Sequence, residues 1–585
     1  MHDTGLDDGR FVVEYGDSSS ITNSGNIAAA EVELRSNGGN IYALAGNTSG
    51  SISATGVSNK GGRVFLTSGD SGAIEVSGTV KASNSDGSGG YVEITGDTAI
   101  LPGTIDVASS SSKGGEVYIY TQSLTDFTGN IYASGGAAGF DGGFVEVSSK
   151  ELVSVNDGWV ETGGGYYLID PSNIIIKEIA GSASYTVYIK PSVLKTSIET
   201  GNNNIVILTP GDTGQGSTSG GDITVQDDLI YTSSNSLTLL ARGEIYINAN
   251  LQNKKISNGG DINLIAGWDG NTKTFGVDIP ASNATVPDTM EYKQGNASDS
   301  SASELTKKVW VLINDSTNEF DLSPFDGCAS NLSSCSTFGN SLTGYSDSTG
   351  HIKVGDEEDW GSYSQVASVS AGTLSGNLSA FGGYVHVSGS NEATSASNEA
   401  SSRLGYDYTT DMPGDRADIT VLSRTAIAVY GGASQGTYAQ IGNAKTKVGA
   451  GSELTLHARS TDDSGYFNSS IDILPGTSHL TYAKIGTGQA NDWGTTTIRS
   501  DSVSDNTDTK ITITTAGGII LNDRANLNSS NVSKARLAQI GNGIFDIAGN
   551  NSGDITITSE DEIKIFRGIG DYSYSMIGHG GYFSE

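Results

Sequence analysis

Apolar and polar residues alternate along this chain in short runs: Val64-Phe65-Leu66, Val92-Glu93-Ile94, Val117-Tyr118-Ile119 and Val145-Glu146-Val147. A period of two is the signature of a strand with one buried face. Each run follows a glycine pair, in a Gly-Gly-x-Val or Gly-Gly-x-Ile word that occurs nine times. The second glycines of the first five words are Gly39, Gly62, Gly90, Gly115 and Gly143, spaced 23, 28, 25 and 28 residues apart. A second short strand follows within the unit, as at Ile74-Glu75-Val76 and Ile105-Asp106-Val107. A turn and two or three strands recurring at a near-fixed period predict a repeat architecture. The fold class expected is all-β: a right-handed parallel β-helix, or solenoid, with loop insertions.

Four stretches follow from the rhythm. Residues 1–178 hold the most regular rungs. Residues 179–267 open with one helical insert and then resume rungs at Ile223, Leu237, Ile245 and Ile262. The helix is predicted from Pro191 near its start, apolar Val193, Leu194 and Ile198, and Gly201 to close it. Across 268–413 the rhythm weakens, and irregular rungs with protruding loops are expected. In 414–585 a different word takes over, Tyr438-Ala439-Gln440-Ile441-Gly442, with copies ending at Gly486, Gly541 and Gly578. Their spacings of 44, 55 and 37 residues predict two rungs and a variable loop per unit. If about 440 residues form rungs of about 20–25, roughly 20 rungs stacked at about 4.8 Å make a rod near 100 Å long.

Composition narrows the picture. Among 585 residues, glycine is abundant (80) and proline rare (9), without the every-third-residue glycine of collagen. A net charge of −34, from 66 acidic and 32 basic residues, repels phosphate backbones and anionic lipid, so neither nucleic acid nor a membrane surface is an expected partner. It keeps a long, edge-rich protein soluble. Calcium is the one ion the excess carboxylates suggest, yet the Gly-Gly-x-Gly-x-Asp array of calcium-loaded β-rolls is missing, and no cofactor is expected. No run of 18 apolar residues occurs, so no membrane insertion is expected. The first residues lack a basic and an apolar region of a secretion signal. The last residues stop within a repeat-like stretch, which suggests a piece of a longer polypeptide. Cys328 and Cys335 are the two cysteines. They suit a small-loop disulfide in an oxidising compartment, two unrelated free thiols being the alternative.

Residues for chemistry are scattered. Asp356-Glu357-Glu358-Asp359 is the densest acidic group, and alternation leaves at most two of its carboxylates on one face. The six histidines, His2, His351, His386, His457, His479 and His579, stand singly, with no partner at recognisable spacing. No Gly-x-Ser-x-Gly elbow or phosphate loop is present. Asp170-Pro171 reads as a bend or edge, because proline removes a ladder donor. Tyr91 and Tyr118 fall at outward positions, where they either offer stacking faces to sugars or form ladders. Asn-x-Ser/Thr tripeptides are frequent, as chance allows in a chain so rich in those residues.

One stretch carries a family resemblance. Gly142-Gly143-Phe144-Val145-Glu146-Val147-Ser148 leads to Leu168-Ile169-Asp170-Pro171-Ser172-Asn173-Ile174-Ile175-Ile176. This pairing resembles the filamentous haemagglutinin-like exoproteins of two-partner secretion systems, in which a GGFVEVSG stretch runs into LLDPxxIxI. The short helix ending at Gly201, Ser236–Ala241 and Asn263–Trp268 are similar too, and the Tyr-Ala-Gln-Ile-Gly units look like those of the same adhesins. The likeness is specific over residues 60–270, moderate over 430–585 and weak over 268–413. It implies a protein exported through an outer-membrane barrel transporter that folds outside the cell and serves adhesion at the bacterial cell surface. Its partners would be glycans or proteins of a host or neighbouring cell, or further copies of itself. The family's secretion domain with its Asn-Pro-Asn-Leu signature is not in this chain, so contact with the transporter would run through another part. Two cysteines depart from a family that is usually cysteine-poor, and no Arg-Gly-Asp occurs. The expected function is the shaft of a non-enzymatic surface adhesin. A structural fibre or sheath subunit, and a β-helix enzyme cleaving acidic polysaccharide with carboxylates converging from adjacent rungs, are the alternatives.

Overall fold

The computed structural model describes residues 10–15, 21–23, 26–29, 31–36, 41–43, 51–55, 62–136, 142–171, 173–179, 186–209, 221–267, 313–314, 319–320, 351–355, 368–389, 401–406, 416–423, 426–432, 437–444, 452–458, 470–476, 481–488, 509–521, 536–543, 553–567 and 573–580. Within them the chain is a parallel β-helix, with strands throughout and one α-helix. It divides into two compact units, residues 1–222 with 235–237 and 281–321, and residues 223–234 with 238–280 and 322–585.

In the first unit a rung consists of three strands that lie on three faces. Tyr91–Leu101 covers the first two faces without a break, and Thr104–Asp106 covers the third. The next rungs repeat this as Glu116–Phe127 with Asn130–Tyr132, then Phe144–Ser149, Leu152–Ser154 and Trp159–Glu161. All pair in parallel with their neighbours. Because the register is kept, inward residues stack on their counterparts. Val64, Val92, Val117 and Val145 form one column, and Val80, Ile105, Ile131 and Val160 another. All eight are fully or almost fully buried. This narrow apolar interior, joined by the backbone ladder, is the core.

The glycine word has a steric explanation. A Cβ on Gly143 would collide with the carbonyl oxygens of Ala133 and Gly115, and one on Gly115 with that of Gly90. Gly115 and Gly143, second glycines of their words, thus sit where successive corners of the helix touch. The word marks a corner, however, and not a particular face. Ile41–Ala43, which follows Gly38-Gly39, pairs with Ile74–Val76 on the second face. Glu31–Ser36, without a glycine pair, supplies the first-face partner of Arg63–Thr67. In the second unit the words at Gly383 and Gly518 again open second-face strands.

Pro171 stands between the strands Tyr166–Asp170 and Ile174–Ile176, at the bend between faces. Val187–Ile189 then pairs with Ile174–Ile176. The helix Pro191–Glu199 follows, with proline in its first turn and Leu194 and Ile198 buried. It packs beside Trp159–Glu161, in the place of a further third-face strand. Asn203 fastens this corner: its Oδ1 accepts from the Thr162 backbone N–H at 2.8 Å, while Nδ2 donates to the carbonyls of Val160 (2.9 Å) and Ser197 (3.0 Å).

The second unit has the same three-faced rung. The third face runs through Val369–Thr373, Ser402–Leu404, Tyr438–Ile441, Thr481–Ile485, Arg536–Ile540 and Tyr574–Ile577, each parallel to the next. The Tyr-Ala-Gln-Ile-Gly copies therefore lie on adjacent rungs. Each unit of 37–55 residues is one turn, not two, because between consecutive copies the chain places one strand on each other face, such as Glu453–Ala458 and Ile471–Leu474. Within 268–413 the described strands from His351 onward keep to the ladder. His351–Val354, Leu378–Gly382 and Tyr384–Ser388 continue the first- and second-face columns in register. Ile313–Asn314 and Glu319–Phe320 form a small antiparallel pair.

Gly143→Ala should lower stability by about 2–3 kcal/mol, read as a shift of the urea midpoint. Loss of amide protection should centre on 116–121 and 166–170, since rungs couple to their neighbours. An unchanged midpoint would refute the corner contact.

Candidate functional site

Three groups of chemistry-bearing side chains lie between rungs. The first is on the outward side of the first face in the first unit. Tyr91 and Tyr118 form a ladder with Phe65 and Phe144, with ring centroids 5.7, 5.3 and 5.3 Å apart, within the range of favourable ring pairs. Both tyrosines are buried. Tyr91 donates to Glu93 Oε2 at 2.7 Å and Tyr118 to Glu116 Oε2 at 3.3 Å. Of the two uses that their outward position allowed, these rings show the ladder. Burial, with the nearby Glu116, pushes the Tyr118 hydroxyl far above its usual value.

Asp170 lies on this same side, opposite Ser148 in the neighbouring strand. Asp170 Oδ1 and Ser148 Oγ are buried without a hydrogen-bond partner. Burial, and secondarily the Glu146 carboxylate, push the Asp170 carboxyl well above the usual carboxylate range. The two halves of the Gly143…Asp170-Pro171 pattern thus meet across one strand pairing.

The second group is on the second face of the second unit. Tyr246, Lys353 and His386 are in register across three strands, and His351 pairs with Tyr384. Lys353 Nζ lies 3.1 Å from Glu244 Oε2 and 5.1 Å from the Tyr246 ring centroid. His351 Nδ1 lies 3.5 Å from Glu244 Oε1, and the Tyr246 hydroxyl also donates to Glu244. The His386 ring stacks on Tyr384 at 5.7 Å and meets Tyr430 edge-on at 5.1 Å. His351, Lys353 and His386 are 8%, 6% and 3% exposed. Thirty-five residues separate the histidines in sequence, yet they sit on adjacent strands, so they are not the isolated residues that spacing suggested. A carboxylate, an ammonium and two imidazoles could exchange protons, but here His351, Lys353 and His386 are buried among tyrosines and Glu244 is half-buried.

The third group explains the Tyr-Ala-Gln-Ile-Gly word. Gly442 and Gly486 adopt φ of 134° and 137°, in the region that favours glycine. A side chain on Gly442 would strike the Gly486 carbonyl, and one on Gly486 that of Gly541, which in turn abuts Gly578. At three of the four, the residue two before the glycine reaches those turns; Met576, two before Gly578, carries no donor. Gln440 Nε2 donates to the carbonyls of Gly486 (2.6 Å) and Gly488 (3.1 Å). Gln539 Nε2 donates to Gly578 and Gly580, each at 2.9 Å. Lys484 Nζ donates to Thr487 (2.7 Å), Gly488 (3.0 Å) and Gly543 (2.9 Å), so three carbonyls take the three N–H bonds of an ammonium. Its burial, reinforced by Arg403, pulls the Lys484 pKa well below the usual lysine value. Arg403 heads the column, donating to Gln440 Oε1 with its guanidinium 5.0 Å from the Tyr438 ring. Tyr438 and Tyr482 stack at 4.7 Å and 5° beside it. Ser402-Arg403-Leu404-Gly405 is thus a further copy of the word, hidden because only its donor, aliphatic and glycine positions survive.

Compared with known proteins, the chain matches no family model, no curated protein and no solved structure.

Among the described residues no group of three or more His, Cys, Asp or Glu side chains could hold a metal ion, and no helix is long and apolar enough to cross a membrane. Cys328, Cys335, Asp356–Asp359, His2 and His479 lie outside the described residues. His457 is buried, and its pKa is lowered by desolvation. His579 accepts from the Asn542 backbone N–H at 3.1 Å.

Lys484→Met should take the donor from the Gly543 carbonyl and leave those of Thr487 and Gly488 with one donor each, the Gly543 N–H and Gln440 Nε2, at a cost of about 1–3 kcal/mol, while Lys484→Gln, with the donor found at 440 and 539, should recover most of it. Equal denaturant midpoints for the two variants would count against the donor column.

The Asp170 carboxyl binds its proton more tightly in the folded chain. Its contribution to stability is therefore full below the ordinary value of 3.8 and is lost as pH rises through the higher folded value. Asp170→Asn should accordingly gain on the parent protein as pH is raised from about 4 to about 8, with the urea midpoint as readout. A constant difference between the two proteins would contradict this assignment.

Proposed function

We propose that this chain is part of a non-enzymatic extracellular adhesin, a stacked β-helical shaft that holds binding surfaces away from a bacterial cell. The observation that carries the reading is where the reactive side chains go. Lys484, Gln440 and Gln539 are spent on turns of neighbouring rungs, Arg403 on Gln440 and the Tyr438 ring, Lys353 and His351 on Glu244, and His386 on the rings of Tyr384 and Tyr430. A β-helical hydrolase or lyase needs converging carboxylates or a carboxylate with a cation, open to substrate; Lys484, His351, Lys353 and His386 are buried, and exposed groups such as Arg416 with Asp418 and Lys81 with Asp106 are closed on each other as ion pairs. The pairing of Ser148 with Asp170 supports the resemblance to filamentous haemagglutinin-like exoproteins, since both parts of the shared pattern are used in one contact. That resemblance also brings the outer-membrane barrel transporter as export partner, reached through another part of the polypeptide, and a cell-surface location.

The test combines negative-stain electron microscopy with light scattering and a cell-attachment assay on the purified chain. Separate rods with the mass of one chain that bind to cells are the expected result. Ordered filaments without cell binding would move the assignment to a structural fibre. Depolymerisation of an acidic polysaccharide by the purified chain would overturn the non-enzymatic reading.

A further inference from the structure

The third face of the first unit differs from the interlocked faces. Its outward residues alternate with buried Val80, Ile105, Ile131 and Val160; Thr79 and Lys81 are exposed, and those of the next three strands are half-buried. They form two columns in register. Thr104, Asn130 and Trp159 make one, and Asp106, Tyr132 and Glu161 the other. Asp106 is already engaged, by Lys81 Nζ at 2.8 Å and the Ala108 backbone N–H at 3.1 Å. The side chains of Asn130, Tyr132, Trp159 and Glu161 have no hydrogen bond, ion pair or ring contact with any described residue. This contrasts with Tyr91, Tyr118, Tyr438 and Tyr482, whose rings are stacked between rungs.

We propose that this surface binds an uncharged oligosaccharide, with Trp159 and Tyr132 as stacking faces and Asn130 and Glu161 as hydrogen-bonding groups. Adjacent strands are about 4.8 Å apart and two residues span about 6.7 Å along a strand, so the Cβ atoms of Trp159 and Tyr132 are about 8 Å apart on the diagonal. That separation lets two linked sugar rings each meet one aromatic face. Sugar hydroxyls are donors and acceptors together, and they match the free amide of Asn130 and the carboxylate of Glu161. An aromatic body with a polar tip suits a ligand that is apolar on its ring faces and polar at its edge. Sulfated or uronic glycans fit poorly, since the platform carries two carboxylates, Asp106 and Glu161, against one ammonium, Lys81, on a chain of net charge −34. Because the side chains sit on strands whose inward neighbours are locked in the core, the platform is held in place before the ligand arrives, which limits the ordering cost of binding.

The proposal rests on the attachment reading for its purpose and gives that reading a ligand class. The test is calorimetric titration of the full chain with β-linked glucose, galactose and N-acetylglucosamine oligomers of about two to six units, a length set by the two-ring span. At least one series should bind. Trp159→Ala should weaken it by about tenfold, the worth of one stacking contact, and Trp159→Phe should restore most of the affinity. Asn130→Ala, a substitution at a solvent-facing position, should weaken binding while leaving the melting temperature unchanged, which separates a binding loss from a folding loss. No binding by any series, or equal binding by the parent protein and Trp159→Ala, would overturn the site. Running the cell-attachment assay on the same proteins separates the two readings. Attachment and oligosaccharide binding that both persist in Trp159→Ala sink this site and leave the adhesin assignment standing, whereas Trp159-dependent oligosaccharide binding without any attachment does the reverse.

Discussion

Everything described here depends on one constraint: each strand must lie one hydrogen-bonding distance from its counterpart in the next turn. At that spacing a residue's nearest neighbour is the residue at the same place one rung later. Apolar columns such as Val64–Val145 satisfy the constraint by stacking, and aromatic columns by tilting their rings. Corners satisfy it by dispensing with side chains, as at Gly115 and Gly143. A buried polar residue has to find its partner up or down the column. That requirement explains why Gln440, Lys484 and Gln539 all donate to turns on the following rung.

The same constraint makes the two glycine words different devices. In the first unit the glycine pair lets two corners approach. In the second, the glycine adopts a backbone conformation that aims carbonyls at one point, and a long polar side chain fills that point. Glutamine and lysine both serve there because each ends in a donor that reaches the turn of the next rung. Charge is incidental to the task, and burial works against it at Lys484. Among the described residues Asp170 and Ser148 are one exception, two buried oxygens opposite each other with neither satisfied.

The fold class was legible because period-two alternation after glycine pairs reports a local property, the corner and the strand it launches. The helix at Pro191–Glu199 was legible for the same reason. What spacing could not reveal was which rung a residue joins. The word at Gly38-Gly39 looks like its successors but serves another face, since face depends on how many corners precede it. Counting residues made one turn of the last third look like two, because the extra length lies between strands. His351 and His386 looked solitary for a related reason: adjacency across the ladder leaves no fixed sequence interval. The half-buried Tyr132–Trp159 surface was missed because tyrosine and tryptophan at outward positions read alike whether stacked or free. Only the register shows which have partners.

Residues 268–350 separate the first-face strand Ile262–Ala266 from the second-face strand His351–Val354, yet the ladder resumes in register on both sides. Closing a connection of that length costs only about 2 kcal/mol more than closing one of ten residues, because loop-closure entropy grows with the logarithm of length. Lengthening at a corner is therefore nearly free, whereas a change within a strand is felt by both neighbouring rungs. Such a scaffold can acquire whole new segments at its corners while its ladders stay as they are. Variation in what the protein meets would accumulate at the corners, and grafted sequence would be tolerated there first.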